Sequence, residues 1–467
     1  MKTIQTLTLS KKKYTFNILD SIETEIEVME NPYDLPIEEL FTMAARINKK
    51  RSFLFVSKVL GKHLPINPTK GLLTAALLAA RYEESVMGLA CMETERLLSA
   101  FLEGESISAH AFIPAAINPV VIGFAETATA LGHAFFDCFQ AAEYFHTTRE
   151  ELMDKIPEIT FEEEHSHATS HRCYIPLEMI QNEREIILVD DEMTTGKTAL
   201  NIIQSIHAKF PRRKYTVVSI LDWRSHEHKQ NFSKLEEKFG IKIHVVSLLS
   251  GNVKVKQRKE IIKRLEDNES SNIYPPSVAL LHLSSFFSGS GILSENLVTK
   301  AVFIEETGRF GLKSVGNPSL HKRVSAAAEF LRQKRSGEKT LCLGTGELMY
   351  LPMKIASEMG DGVYFHSTTR SPIYIENKEG YGARFGVNFP NPEDQDISHF
   401  VYNIPPGYYD ELFIFFEREV EYENLLAMLN ELGKVEIKSI KIVFFSKIRG
   451  EYHAKSNEQT SQDRDLS

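Results

Sequence analysis

The sequence predicts an α/β protein, with a parallel sheet flanked by helices and a second α/β domain behind it. Three observations lead there. The run Ile186-Ile187-Leu188-Val189 is short and apolar, ends in Asp190-Asp191, and passes through Thr194-Thr195-Gly196-Lys197-Thr198 into the helical pattern Ala199-Leu200-Asn201-Ile202-Ile203. A buried parallel strand reads this way, and paired acids at its end stand where open α/β sheets bind ligands. Val121 to Ala134 again reads strand, small-residue loop, helix. The second half then repeats part of the first without a gap. Gly123 to Arg149 aligns with Gly344 to Arg370 at a constant offset of 221, matching Glu126 with Glu347 and Thr147-Thr148-Arg149 with Thr368-Thr369-Arg370.

Composition narrows the class. A length of 467 residues allows two or more domains, each with its own core. A net charge of −9 with 25% charged residues offers no general basic field for nucleic acid. Cys91, Cys138, Cys173 and Cys342 are scattered, so neither a disulfide framework nor a zinc site is indicated. No apolar run approaches the ~18 residues that span a membrane. Met1 to Lys13 lacks the apolar core of a signal peptide. The expectation is a cytoplasmic protein that engages neither membrane nor nucleic acid, with a homo-oligomer left open.

Along the chain, residues 1–30 alternate apolar and polar as an edge strand or arm would, and a short acidic helix is expected from Pro36 to Ile47. Asn48 to Pro65 places bases around the strand Phe53-Leu54-Phe55-Val56 and closes in Gly61-Lys62-His63. It reads either as a solvated strand with basic ends or as a segment that recognises an anionic group. Thr69 to Arg81 is helical, and a charged helix runs to Leu102. Glu143-Tyr144-Phe145 is a strand with Arg149 just past its end, where a guanidinium can hold a phosphate by two bonds. Phe161 to Arg172 is ionisable and aperiodic, hence a loop. Strands follow at Tyr215 to Leu221 and Ile241 to Leu249, and a charged helix is expected from Val253 to Asn268. Trp223 reads equally as core packing or as a stacking surface for a ligand. The punctuation at residues 268–276 separates domains placed at 30–275 and 300–450. Glu411 to Glu417 resembles Glu185 to Asp191, but Phe416 replaces the first acid and no hydroxyl–Gly–Thr loop follows. The second domain is therefore expected to be a degenerate copy without its own ligand loop, and Arg370 to be dispensable for the first domain's ligand. Residues 453–467 are polar and are expected to be disordered.

The chemistry of Asp190 to Thr198 suits a phosphorylated sugar: two acceptors for vicinal hydroxyls, and N–H and O–H donors at a helix start for a phosphate. A Walker A loop would need Gly where Asp191 stands. A receiver domain would place such a strand near its beginning. The run resembles the phosphoribosyl-pyrophosphate (PRPP) motif of type I phosphoribosyltransferases, in which every fixed position is matched. That resemblance implies a type I phosphoribosyltransferase fold, Asp190 and Asp191 on the ribose hydroxyls and beside Mg²⁺, and Thr194, Thr195, Gly196, Lys197 and Thr198 around the 5′-phosphate. It also implies a pyrophosphate loop of Ala125, Glu126, Thr127 and Ala128 with Arg149, and a hood over the acceptor at Asn48 to Pro65. The family's catalytic lid would fall on Glu164, His165 and His167, acids and imidazoles suited to proton transfer. Thr369-Arg370-Ser371-Pro372 and Gly308-Arg309-Phe310-Gly311 sharpen the resemblance, to the phosphoribosyltransferases of bacterial tellurite-resistance loci, which carry a C-terminal domain called TRSP after the first of these motifs. The implied activity is transfer from PRPP, with Mg²⁺, to an unidentified nitrogenous small-molecule acceptor, or the reverse, in making a nucleoside-like molecule linked to tellurite and stress resistance. The rival is a PRPP-sensing regulator without catalysis. Thr194 occupies a position where purine transferases often carry a carboxylate, which argues against hypoxanthine or guanine.

Overall fold

Two sheets, each with a five-stranded parallel portion of matching order, face each other through their helices. The structure, a computed structural model, describes residues 12–47, 52–105, 111–162, 170–259, 261, 276–296 and 298–448. The first part runs β1 (Lys13–Ile18), β2 (Ile22–Glu30), the helical turn α1 (Ile37–Leu40), β3 (Phe41–Ala45), β4 (Phe53–Ser57), α2 (Pro68–Val86), α3 (Thr94–Glu103), β5 (Val120–Gly123), α4 (Ala128–Phe136) and β6 (Glu143–His146). It continues with β7 (Ile159–Glu162), β8 (Ser170–Cys173), α5 (Leu177–Ile180), β9 (Ile186–Val189), β10 (Glu192–Met193), α6 (Lys197–Lys209), β11 (Lys214–Asp222), α7 (His226–Phe239) and β12 (Lys242–Gln257). The rest is β13 (Ser277–His282), β14 (Leu312–Lys313), α8 (Asn317–Arg332), β15 (Thr340–Gly344), α9 (Tyr350–Glu358), β16 (Val363–Ser367), β17 (Gly386–Asn391), β18 (Asp394–Tyr402), β19 (Glu411–Arg418), α10 (Tyr422–Gly433) and β20 (Ser439–Ser446).

The first sheet has the order β1-β2-β12-β11-β9-β5-β6-β14, and its β12-β11-β9-β5-β6 portion is parallel. The second is β13-β20-β19-β15-β16, parallel throughout. Matched strand by strand, β5, β6, β9 and β11 correspond to β15, β16, β19 and β20. The outer strand differs in origin, since β12 follows β11 in the chain whereas β13 precedes the whole set. Identical pinning bonds mark the copies: Thr147 N donates to Gly123 O at 3.0 Å, and Thr368 N to Gly344 O at 3.0 Å. Ala125 N donates to Thr147 Oγ1 at 2.9 Å, and Gly346 N to Thr368 Oγ1 at 3.0 Å.

Several expectations change. The helix expected from Pro36 to Ile47 is only the turn Ile37–Leu40, because the β-pairing of Phe41–Ala45 with Phe53–Ser57 claims the rest. Val253 to Gln257 extend β12 and pair with β2 rather than starting a helix, since alternation along an edge outweighs the weak helical pattern of its charges. The segment Phe161 to Arg172, expected as loop, has strands β7 and β8 at its ends; residues 163–169 lie outside the described set, as does the tail.

The domains share a core. One apolar cluster runs from Ile18 through Tyr82, Phe135 and Met353 to Phe445. Gly61 lies against the Phe365 ring, where a Cβ would come within 2.6 Å. Ile66 and Phe365 exchange two backbone hydrogen bonds at 2.9 Å, and Gly61 O accepts from Ser367 Oγ at 3.1 Å.

This core holds neutral histidines. Burial pushes the His133 imidazole down to about 3 and that of His399 to about 4. In the unfolded chain each would titrate near 6.5, so below that pH the unfolded state binds protons that the native state refuses. Their contribution is complete above pH ~6.5 and is lost as pH falls towards the native values, by about 1.4 kcal/mol per pH unit for each. Denaturant titrations at pH 7.5 and pH 5 are expected to show a markedly lower midpoint in acid. Equal midpoints would contradict neutral burial of these rings.

Candidate active site

Strand β9 is buried on both faces at the centre of the first sheet, and the chain leaves it at Asp190. Backbone bonds hold the exit in line: Asp190 N donates to Val218 O at 2.9 Å, and Ile220 N to Asp191 O at 3.1 Å. Short β10 then pairs with the end of β11. The two carboxyls thus project beyond the sheet, half-buried, with Asp191 N bound to Asp190 Oδ1 at 2.9 Å. The chain turns at Gly196, whose φ of 72° favours glycine. A Cβ there would also stand 2.6 Å from the Phe232 ring. Helix α6 begins immediately after, so the N–H groups of its first turn face the turn formed by Thr194 and Thr195.

The neighbouring strand β5 ends in a second loop, Phe124 to Thr127, where the Ala125–Glu126 peptide is cis. Helix α4 sits close on β5 because residue 132 is glycine; a Cβ there would reach 2.9 Å from Gly123 Cα. Glu126 is buried and pairs with buried Lys62 at 3.0 Å. Burial alone would raise its carboxyl. The Lys62 ammonium, with Arg370, His399 and Arg149 around it, outweighs burial and holds it at about 2. Thr147, beyond β6, fixes the loop through Ala125 N and meets His171 Nδ1 at 2.8 Å. The next residues are fastened by the other domain: Glu347 accepts from Thr148 Oγ1 at 2.7 Å and from Arg149 N at 2.8 Å.

These parts surround one cleft of about 480 Å³. Asp190, Asp191, Thr194, Thr195, Gly196, Lys197 and Thr198 form one side, and Ala125, Glu126, Thr127 and Arg149 another. Ala128 is buried at the start of α4 and does not line it. Glu164, His165 and His167 lie outside the described residues. The third wall is the β3–β4 hairpin with Arg46, Ile47, Leu54, Phe55 and His63. Burial drives the His63 imidazole well below its usual range. Trp223 stacks on Phe55, ring centres 4.9 Å apart, and supports this hairpin from within the core.

The fourth wall corrects an expectation. Thr369, Arg370, Ser371 and Pro372 come from the second domain, yet they line this same cleft. The segment pairs with β3: Ile47 N donates to Pro372 O at 3.1 Å, and Tyr374 N to Ala45 O at 2.9 Å. Arg370 is not parked in an idle copy. The sequence signal was the threonine–arginine repeat, but nothing local told which cleft it would face.

The copy's own cleft is closed. At the end of β19, Glu417 takes the position of Asp191 and grips Arg309 Nη1 with both oxygens, at 2.8 and 2.9 Å. Arg309 Nη2 reaches Glu347 at 3.2 Å, and the guanidinium lies 4.2 Å over the Phe303 ring. Burial would lower the Arg309 pKa, but Glu417 and Glu347 raise it.

The profile of a family described as phosphoribosyl transferase matches residues 40–252, and that of the TRSP domain, C-terminal to it, matches residues 306–432. The chain belongs to the phosphoribosyltransferases that carry a C-terminal TRSP domain. It is thereby a PRPP-dependent pentosyltransferase. A comparison with curated proteins found no match. Among solved structures, the adenine phosphoribosyltransferase of Trypanosoma brucei, in complex with AMP, pyrophosphate and ribose-5-phosphate, aligns at TM-score 0.31 and 12% identity, over 50% of this chain and 86% of its own. The Saccharomyces cerevisiae adenine enzyme aligns at 0.20 and 14%, over 33% and 74%. A hypoxanthine phosphoribosyltransferase of Staphylococcus aureus aligns at 0.20 and 8%, over 35% and 69%. At these scores it is the two family profiles that identify this phosphoribosyltransferase. Among the described residues no helix is long and apolar enough to cross a membrane.

Proposed function

We propose that this cleft binds PRPP and transfers its phosphoribosyl group to a nitrogen of a planar small molecule, releasing pyrophosphate. The observation that carries the reading is the convergence of the Asp190–Asp191 pair, the α6 N-terminus and the loop bearing Glu126 on one cavity. Asp190 and Asp191 accept from the ribose hydroxyls and favour the positive charge that develops at C1 as its bond to pyrophosphate breaks. Residues Thr194 to Thr198 anchor the 5′-phosphate and fix the sugar's orientation. Loop 125–127 and Arg149 face the departing pyrophosphate. The acceptor lies between Leu54 and Phe55 on the hairpin and Pro372 opposite, apolar surfaces that suit a flat ring. Proton transfer is assigned to the segment with Glu164, His165 and His167.

Mg²⁺ fits these residues as an ion that arrives with the substrate. Among the described residues no group of three or more His, Cys, Asp or Glu side chains could cage a metal. Two adjacent half-buried carboxylates suit an ion that keeps waters and substrate oxygens. Bound there, it would offset pyrophosphate charge. The product is read as a nucleoside-like molecule linked to tellurite and stress resistance.

The test is calorimetric titration of PRPP into the full chain with Mg²⁺ and with EDTA, followed by an acceptor screen for pyrophosphate release. One Mg²⁺-dependent site per chain is expected, since the second cleft is filled by Arg309. Absence of binding by folded protein would overturn the reading. Binding without turnover on any nitrogenous acceptor would favour a PRPP sensor.

A further inference from the structure

The internal repeat places Arg149 and Arg370 at equivalent positions, each directly after the Thr-Thr pair that follows its domain's second strand. Because the two domains face each other, both residues line one cleft instead of two. Their surroundings differ. The backbone of Arg149 is fastened by Glu347. Arg370 is half-buried, and its Nε is buried without a hydrogen-bond partner. Glu126 Oε1, in the facing loop, is likewise buried and without a partner. Lys62, Arg370 and Arg149 stand around Glu126, and Asp191 faces Lys62 from the other side of the cleft. A guanidinium N–H buried without an acceptor is costly unless a ligand in the cleft supplies one, and an anionic oxygen suits it best.

We propose that the TRSP domain completes the phosphoribosyltransferase site, with Arg370 donating to the pyrophosphate group of bound PRPP across from Arg149. One chain then does what two facing copies would do: the second domain keeps the arginine of the repeat for its neighbour, while its own cleft is closed by Arg309. The inference rests on the PRPP reading above. Arg370 is a binding residue, and its effect is confined to ligands that carry pyrophosphate.

The test compares full-length wild type, Arg370→Ala and Arg370→Lys by calorimetry with three probes: PRPP, inorganic pyrophosphate and ribose 5-phosphate, all with Mg²⁺. Arg370→Ala is expected to weaken PRPP and pyrophosphate about 10- to 100-fold, the loss of charge-assisted hydrogen bonds, and to leave ribose 5-phosphate unchanged. Arg370→Lys restores part of the affinity, since a point charge replaces a two-pronged donor. Equal PRPP and pyrophosphate affinities in wild type and Arg370→Ala overturn this proposal alone. Equal weakening of all three probes also overturns it, because a general distortion would act that way. Wild type that binds neither PRPP nor pyrophosphate overturns it together with the reading beneath it.

Discussion

Replacing both Asp190 and Asp191 by asparagine is expected to weaken PRPP binding about 30-fold or more and to slow turnover further. A hydrogen bond to a carboxylate is roughly twice as strong as one to a neutral group, a difference of about 1 kcal/mol for each side chain. Turnover suffers more, because the carboxylates also face the charge that develops at ribose C1. The fold should survive. Both side chains are half-buried at the mouth of a cleft, and the bonds that set their backbone, to Val218 and Ile220, are main-chain bonds. The side-chain bond from Asp191 N to Asp190 Oδ1 can be made by the asparagine carbonyl. Calorimetry with PRPP, beside a melting curve, checks this. Unchanged affinity in a folded double variant would remove these residues from the site.

Arg309→Ala is expected to destabilise the protein by about 3–5 kcal/mol, the usual loss when one partner of a buried ion pair is removed. Arg309 is 2% exposed, and without it Glu417 and Glu347 are left as neighbouring buried carboxylates. Glu347 also holds Thr148 and the Arg149 backbone, so the loop facing the working cleft should loosen as well. Urea unfolding of full-length protein measures the effect. Combining Arg309→Met with Glu417→Gln and Glu347→Gln should recover much of it by leaving no unpaired charge. A single variant as stable as wild type would mean that Arg309 does not plug the second cleft.

The legible part of the candidate site lies in contiguous chain. Asp190 to Thr198 is one strand end, one turn and one helix start, so nine consecutive residues bring acceptors and donors to a point, and residue types alone disclose it. Residues 125–127 of the second loop are legible for the same reason, whereas Ala128, expected with them, is buried in α4. The failures have a different origin. Val253 to Gln257 carries charges at spacings a helix tolerates, but β2 offers it a partner strand. Phe41 to Ala45 follows an acidic helical turn, but the pairing with β4 claims it. Trp223 could be placed only once Phe55 was found stacked on it.

By itself the sequence determined the α/β class, the internal repeat and the residues of the PRPP motif, because each is written in local order or in a fixed offset. Only the tertiary structure decided that Arg370 shares a cleft with Arg149, that Arg309 fills the other, and that the hairpin beside Ile47 is completed by the Pro372 segment. These depend on two sheets docking through Gly61, Phe365 and the helices between them. Contacts between residues hundreds of positions apart leave no periodicity in the chain that makes them.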